Sequence, residues 1–150
     1  KLTMASTLSV RDQLAIRELY AVYNLASDDA DSERYADCFT HEGAMLCPEV
    51  GIDVRGRDAL IAHKDRDRAN RAGQYRRHWN ANLHLEACED GSVRGRCYLI
   101  AHQGEPGALP RVADCGVYVD RVIKDGEGVW RFAERRLTMD GSTWGSGPGE

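Results

Sequence analysis

The sequence predicts an α+β fold, with helices packed on one face of a curved antiparallel sheet. Apolar residues recur at helical spacing in the first half of the chain, and long alternating segments fill the second half. The 150 residues are enough for one domain with a single core. A sheet of this kind can leave a cavity under its helices, and ligand cavities are usually lined by apolar side chains with a few polar groups.

Three helices are predicted in the first half. Residues 9–28 carry an apolar stripe, and Ser9 suits an N-cap. A short second helix, which carries Tyr35, Cys38 and Phe39, ends near Gly43. A brief apolar stretch at 44–50 and a turn-rich stretch at 51–56 follow. The third helix, at 56–73, is strongly charged and is anchored by two apolar residues, Leu60 and Ile61.

Strands are predicted from His78 onward. Residues 79–87 alternate between apolar and polar, and the turn EDGS follows. Three more strands are expected at 92–103, 111–123 and 129–139. The domain should therefore cover residues 9–140, with a leader at 1–8 and a flexible tail at 141–150, where Trp144 is a possible cover for the pocket.

The composition excludes several classes of protein. With 42% hydrophobic residues and a net charge of −4, the chain is too apolar for disorder and too acidic for a general nucleic-acid partner. No apolar run is long enough to span a membrane. Five cysteines without a CxxC pair indicate free thiols in a cytoplasmic protein and argue against a structural zinc site. Metalloprotease, P-loop, Rossmann and hydrolase-elbow motifs are all missing, and we expect no metal or cofactor.

His78 is the strongest candidate for a general base, because histidine titrates close to neutral pH. It opens the segment RRHWNANLHLE, where Trp79 and Asn82 are candidate substrate-binding residues. In a regular strand His78 would point away from the apolar set at 79–87. A β-bulge between His78 and Leu83 would turn it inward. The alternative is an ordinary surface histidine.

Asp28 is the candidate partner for His78. It ends the apolar stripe of the first helix, near Tyr20 and Tyr23, two further candidate substrate-binding residues. A carboxylate there can orient an imidazole and stabilise its charged form. The helix dipole disfavours an acid at a helix C-terminus, so this position is costly unless it has a use. The alternative is an exposed residue at the helix end.

Two other groups need interpretation. Tyr98 and His102 share one strand face and are candidates to polarise a carbonyl or protonate a leaving group, although core packing explains them equally well. The basic stretch at 64–77 is interpreted as a solvated helix face with internal ion pairs rather than an anion-binding site. Arg135 is interpreted as a solvated or pocket-edge charge, and Trp130 and Phe132 as core residues.

The order and spacing of several segments resemble a known family. The runs AIRELYAVYNLASDDADSERYADCFTHEG, GRDAL, RRHWNANLHLE and GVYVDRVIKDGEGVWRFAERRL resemble the SnoaL-like branch of the nuclear-transport-factor-2-like superfamily over roughly residues 9–140. This branch includes scytalone dehydratase and hexachlorocyclohexane dehydrochlorinase. The resemblance implies a cone-shaped α+β barrel with a pocket at its open end, and a catalytic pair at Asp28 and His78. His102 followed by Gln103 also fits the dehydratase pattern, but the Ser and Asn of that enzyme fall near Cys115 and Val117.

The resemblance also implies the function. The expected activity is that of a cofactor-independent lyase or dehydratase acting on a small, apolar, cyclic or aromatic substrate. A ring isomerase or polyketide cyclase would need the same pair, and some members are non-catalytic assembly subunits of dioxygenases. Members of the superfamily commonly pair through the outer face of the sheet, so we expect a homodimer or homotrimer.

Overall fold

The computed structural model describes residues 7–143 and confirms the α+β class. Within these residues, three helices cover one face of a curved sheet of six strands. The helices are α1 (Val10–Asp29), α2 (Ser32–Asp37) and α3 (Arg57–Asn70). The strands are β1 (Phe39–Cys47), β2 (Ile52–Arg55), β3 (Tyr75–Ala87), β4 (Val93–Gly104), β5 (Arg111–Lys124) and β6 (Trp130–Ser142). A short 3-10 helix, Pro48–Val50, joins β1 to β2.

The sheet has the order β2-β1-β6-β5-β4-β3 and does not close into a barrel. All neighbouring strands are antiparallel except β1 and β6, which run parallel. The prediction of a wholly antiparallel sheet is therefore wrong for this one pair. The parallel pairing places the chain between α2 and α3 in the sheet, beside its last strand.

The second helix is shorter than predicted. It ends at Asp37, and Phe39 opens β1 where the sequence suggested continued helix. The last four residues of β1, from Ala44 to Cys47, are all buried, so this strand lacks the alternation that marks a half-exposed strand. The segment Ile52–Arg55, predicted as a turn, is the edge strand β2.

The core lies between the helices and the inner face of the sheet, which we define as the face that the helices cover. Trp130 and Phe132 are buried there, as predicted. Arg135 is also buried, at 0% exposure, and this corrects its interpretation as a solvated charge. Its guanidinium donates to both carboxylate oxygens of Asp120, at 3.1 and 3.0 Å. Four aromatic rings surround the guanidinium within 5 Å: Tyr20, Tyr23, Tyr118 and Phe132.

Three other features bear on the predictions: the cysteines, the hydropathy of the helices and the end of the last strand. All five cysteines are free thiols, as predicted. Among the residues described, no helix combines the length and the apolar character that crossing a membrane requires. Strand β6 continues to Ser142, two residues into the predicted tail. Trp144 lies outside the described residues.

Candidate active site

Asp28 and His78 meet between the end of α1 and the start of β3. His78 Nδ1 lies 2.5 Å from Asp28 Oδ1, and the backbone N–H of His78 donates to Asp28 Oδ2 at 3.1 Å. Asp28 therefore contacts His78 through both of its carboxylate oxygens. With Nδ1 engaged, Nε2 is the ring nitrogen left for a ligand, and Asp28 fixes both the tautomer and the orientation of the ring.

A β-bulge turns His78 inward, as the sequence predicts. The pairing of β3 with β4 shifts between Ala81 and His84, and Asn82 has a left-handed backbone with φ 57°. Before the bulge His78 and Asn80 face the helices, and after it Leu83 does. Asn80 accepts a hydrogen bond from Asn24 of α1 at 2.7 Å, which ties the two elements together next to the pair.

The electrostatic cost of an acid at the end of α1 is offset by two arginines. Arg68 belongs to α3, and Arg71 lies at the C-terminal end of that helix. Arg71 donates to the backbone carbonyls of Ser27 and Asp28, and Arg68 donates to that of Ala30. Carbonyls at the end of a helix lack the usual hydrogen bond from the next turn, although that of Ser27 also accepts from the N–H of Ala30 at 3.2 Å, and cations at this position interact favourably with the helix dipole. Asp28 is therefore held at a helix end that is already neutralised.

A cavity of about 60 Å³ lies under the helices beside His78. We call it the inner cavity; its lining is Tyr23, Ser27, Tyr35, Met45, Ile52, His63, Lys64, Asp67, Arg76, His78, Leu99, Asp114, Tyr118, Leu137 and Met139. This volume holds about two water molecules, so a cyclic substrate can enter only if the side chains that line the cavity move. Met139 and Ile52 are half-buried, and the flexible thioether side chain is suited to such movement.

Besides its apolar and aromatic side chains, the lining of the inner cavity includes four charged residues: Lys64, Asp67, Arg76 and Asp114. Lys64 and Asp67 are both 4% exposed. Asp67 accepts hydrogen bonds from Lys64 at 3.2 Å, Arg71 at 2.7 Å and Arg76 at 2.6 Å. The predicted internal ion pairs are present, but this face of α3 is buried and not solvated.

Burial controls the protonation of the groups in the cavity. It lowers the pKa of His78 below 6.5, and Lys64 and Arg76 lower it further, while Asp28 opposes them. It also lowers the pKa of Lys64 to about 8, against the opposing effect of Asp67. His78 is therefore neutral at pH 7, when it can accept a proton, whereas Lys64 is still mostly charged.

The predicted substrate-binding residues divide into two groups. Tyr23 lines the inner cavity, but Tyr20 lies deeper and donates to Asp120 at 2.6 Å. The other four are away from the cavity. Trp79, Tyr98 and His102 lie on the outer face of the sheet, opposite the helices, and Asn82 is the exposed bulge residue.

The positions of Trp79, Tyr98 and His102 on the outer face have a geometric cause. Tyr98 and His102 do share a strand face, as predicted, but it is the outer face, because Leu99 and Ala101 point to the core. The ring of Trp79 packs against that of His102, with centroids 5.3 Å apart. The bulge that turns His78 inward leaves its neighbour Trp79 pointing outward.

Lys64 and the other charged residues of α3 were not predicted at the site. A sequence signal did exist: Leu60, Lys64, Asp67 and Arg71 recur at spacings of four, three and four, the pattern of one buried helix face. Their charges concealed it, because charged side chains are rarely buried unless they are paired.

The protein has other concave surfaces. One of them is an open groove of about 610 Å³ near the hairpin between β3 and β4, lined by residues such as Arg94, Arg121 and Glu134. It contains neither member of the Asp28–His78 pair. Over residues 7–143, no cluster of three or more histidine, cysteine or acidic side chains has the geometry of a metal site.

Comparisons with known proteins agree with this architecture. A SnoaL-like domain model matches residues 8–136. The solved structure of a single-residue variant of Rv3472, a protein of unknown function from Mycobacterium tuberculosis, is similar at 32% identity over 95% of this chain and 83% of that one, with a TM-score of 0.77. No curated protein matches the sequence significantly.

Two more distant structures share the fold. ActVI-ORFA from Streptomyces coelicolor is 21% identical over 85% of this chain and 97% of its own, with a TM-score of 0.77. A protein from Novosphingobium aromaticivorans, proposed to be a scytalone dehydratase, is 21% identical over 90% of this chain and 88% of its own, with a TM-score of 0.75.

Proposed function

We propose that this chain, which belongs to the SnoaL-like domain family, is a cofactor-independent lyase of the dehydratase type. Its substrate would be a small cyclic or aromatic molecule. The observation that supports this is the contact of 2.5 Å between His78 Nδ1 and Asp28 Oδ1 at the wall of a cavity. Many members of the family are enzymes of related chemistry, and one structural neighbour is proposed to be a scytalone dehydratase.

In the proposed reaction His78 is both base and acid. Its Nε2 removes a proton from carbon, and the imidazolium that forms is stabilised by Asp28. The same proton then leaves with the departing hydroxyl group as water. This cycle needs a base that is neutral at physiological pH, which agrees with the lowered pKa of His78.

Ring isomerisation is the second candidate, because the same pair can return the proton to a different carbon. The two reactions can be distinguished by offering a different substrate for each. 3-Hydroxycyclohexanone loses water to give cyclohex-2-enone, whereas cyclohex-3-enone isomerises to the same product. Absorbance of the conjugated enone therefore reports both reactions. We expect the hydroxy ketone to be the better substrate.

The shared step is tested by exchange of the α-protons of cyclohexanone with D₂O, followed by NMR. We expect exchange with the wild type and a loss of about 100-fold or more in Asp28→Asn and His78→Ala. His84→Ala, which removes an exposed histidine of the same strand, is the matched control and should exchange normally. Equal exchange rates in the wild type and both pair variants would refute the proposal.

A non-catalytic assembly role gives another result. A β-like subunit would show no exchange alone and would copurify with a larger oxygenase-like chain. The close Asp28–His78 contact favours the catalytic alternative, because a purely structural subunit has no need for a buried imidazole with a free ring nitrogen.

A further inference from the structure

A lysine is buried at the wall of the inner cavity. Lys64, on α3, is 4% exposed, and its Nζ donates to Ser27 Oγ at 2.9 Å and to Asp67 Oδ2 at 3.2 Å. The ring of Tyr35 lies beside Nζ, with its centroid 4.5 Å away. Lys64 and His78 line the same cavity. An ammonium group and the imidazole therefore face one small space.

Several charged groups surround this lysine. Asp67 is shared among Lys64, Arg71 and Arg76, so one carboxylate faces three cations. Burying a cation is costly unless its charge is paired, and Lys64 shares its paired carboxylate with two arginines. Two more carboxylates lie in this region, Asp114 at the cavity wall and Asp28 behind His78, and their hydrogen bonds go to Ser142 and His78 rather than to Lys64.

The ammonium group also has a donor to spare. A lysine carries three N–H bonds, and two of those of Lys64 are used by Ser27 and Asp67. Among residues 7–143, the hydrogen bonds of Lys64 include no third acceptor. A spare N–H on an ammonium group suits a ligand atom that is negatively charged.

We propose that Lys64 binds the substrate oxygen that becomes negatively charged when His78 removes a proton. The substrate is then a cyclic ketone, or a phenol reacting through its keto form, with a hydrogen on the carbon next to the carbonyl. This inference rests on the proposed proton transfer by His78. It assigns the carbonyl-polarising role to α3, since Tyr98 and His102 lie on the outer face.

The electrons balance as follows. His78 takes the proton, the C–H electron pair forms a C=C bond, and the carbonyl π electrons move to the oxygen, which Lys64 binds as an enolate. In the second step the oxygen electrons re-form C=O, and the C=C pair shifts to expel the β-hydroxyl group. That group leaves as water with the proton from His78, and no oxidant or reductant is consumed.

The test uses 4-nitrophenol, whose phenolate absorbs visible light and resembles an enolate in charge. If Lys64 binds an oxyanion, the bound probe should ionise at least about one pH unit below the free probe, equivalent to tenfold tighter binding of the phenolate. Lys64→Met should abolish this shift. Arg66→Met, which removes one positive charge from an exposed position of α3, should retain it.

A second variant separates folding from binding. Lys64→Gln keeps a polar side chain, and circular dichroism reports whether either Lys64 variant is folded. A folded Lys64 variant that retains the probe shift would overturn the assignment. So would a wild type that shows no saturable binding of the probe.

The inference and the proposed proton transfer fail in different ways. A Lys64-dependent probe shift without α-proton exchange would leave the oxyanion site intact and refute the role of His78. Exchange that is lost in His78→Ala but unaffected by either Lys64 variant would support the base and refute the oxyanion site. If both hold, exchange in Lys64→Met should fall about 100- to 1000-fold.

Discussion

At the scale of the residue, burial decides what His78 can do. The sequence suggests that Asp28 would favour the charged imidazole, but burial outweighs it and lowers the pKa of His78. The carboxylate therefore orients the ring and limits the fall in pKa instead of making the histidine cationic. A neutral imidazole at pH 7 is what a general base requires.

Activity should depend on pH through two buried groups. Below pH 6.5 the rate should fall as His78 becomes protonated, with a midpoint under 6.5 because its pKa is lowered. Above about pH 8 it should fall again as Lys64 loses its charge. Burial is the main cause of the lowered pKa of Lys64; Asp67 opposes it, and Arg71 and Arg76 lower the pKa further.

The measurement is the rate of α-proton exchange from pH 5 to pH 10. Lys64→Arg should move the alkaline limb upward, because arginine stays charged throughout this range. If the rate falls at the same alkaline pH in this variant as in the wild type, the fall must be due to a group other than Lys64. Asp28→Asn should lower the pKa of His78 further, which NMR titration of the ring can follow.

At the scale of the element, one irregular residue determines which side chains of β3 face the cavity. Side chains alternate along a strand, so the two halves of β3 need an extra residue between them if His78 and Leu83 are both to face inward. Asn82 provides it by adopting φ 57°, a conformation that asparagine tolerates better than most residues.

Asn82→Val should therefore destabilise the fold by about 1–2 kcal/mol, because a β-branched residue is strained at positive φ. Asn82→Gly should lie within a few tenths of a kcal/mol of the wild type. Ala81→Val, at the neighbouring exposed strand position, is the control and should cost little. Urea denaturation measures all three; an equal stability for Asn82→Val and Ala81→Val would contradict the strain argument.

At the scale of the whole molecule, the outer face of the sheet carries an exposed apolar patch. Trp79, Tyr98, Ile100 and Val112 lie on three neighbouring strands and are 41–66% exposed. A contiguous exposed patch of this kind is typical of an interaction surface. The expected homodimer or homotrimer remains a prediction, and this surface is the place where we expect the copies to meet.

Light scattering after size-exclusion chromatography should give a mass two or three times 16.7 kDa. The double variant Trp79→Lys/Ile100→Lys should reduce it to that of a monomer, because charges placed in an apolar interface are not solvated. Leu109→Lys, at a side chain that is 93% exposed in the loop between β4 and β5, should have no effect. A monomeric wild type would contradict the expectation.

Local sequence signals predicted much of this molecule. The amphipathic stripe of α1 and the alternation in β4 to β6 identify these elements, and the parity of residues 78–87 even required the bulge. The pairing of Asp28 with His78 was named from the resemblance and from the unfavourable position of an acid at a helix end. β1 was not predicted, because a strand buried on both faces has no alternation.

What the sequence alone determined is therefore the α+β class, the family and the identity of the two residues that face each other. Periodicity and local order are enough for these, because they depend on neighbours along the chain. Only the tertiary structure decided that Lys64 enters the cavity and that Trp79, Tyr98 and His102 leave it. The face of a strand or helix that meets the core depends on long-range packing, and a charged side chain is buried only where distant partners can pair with it.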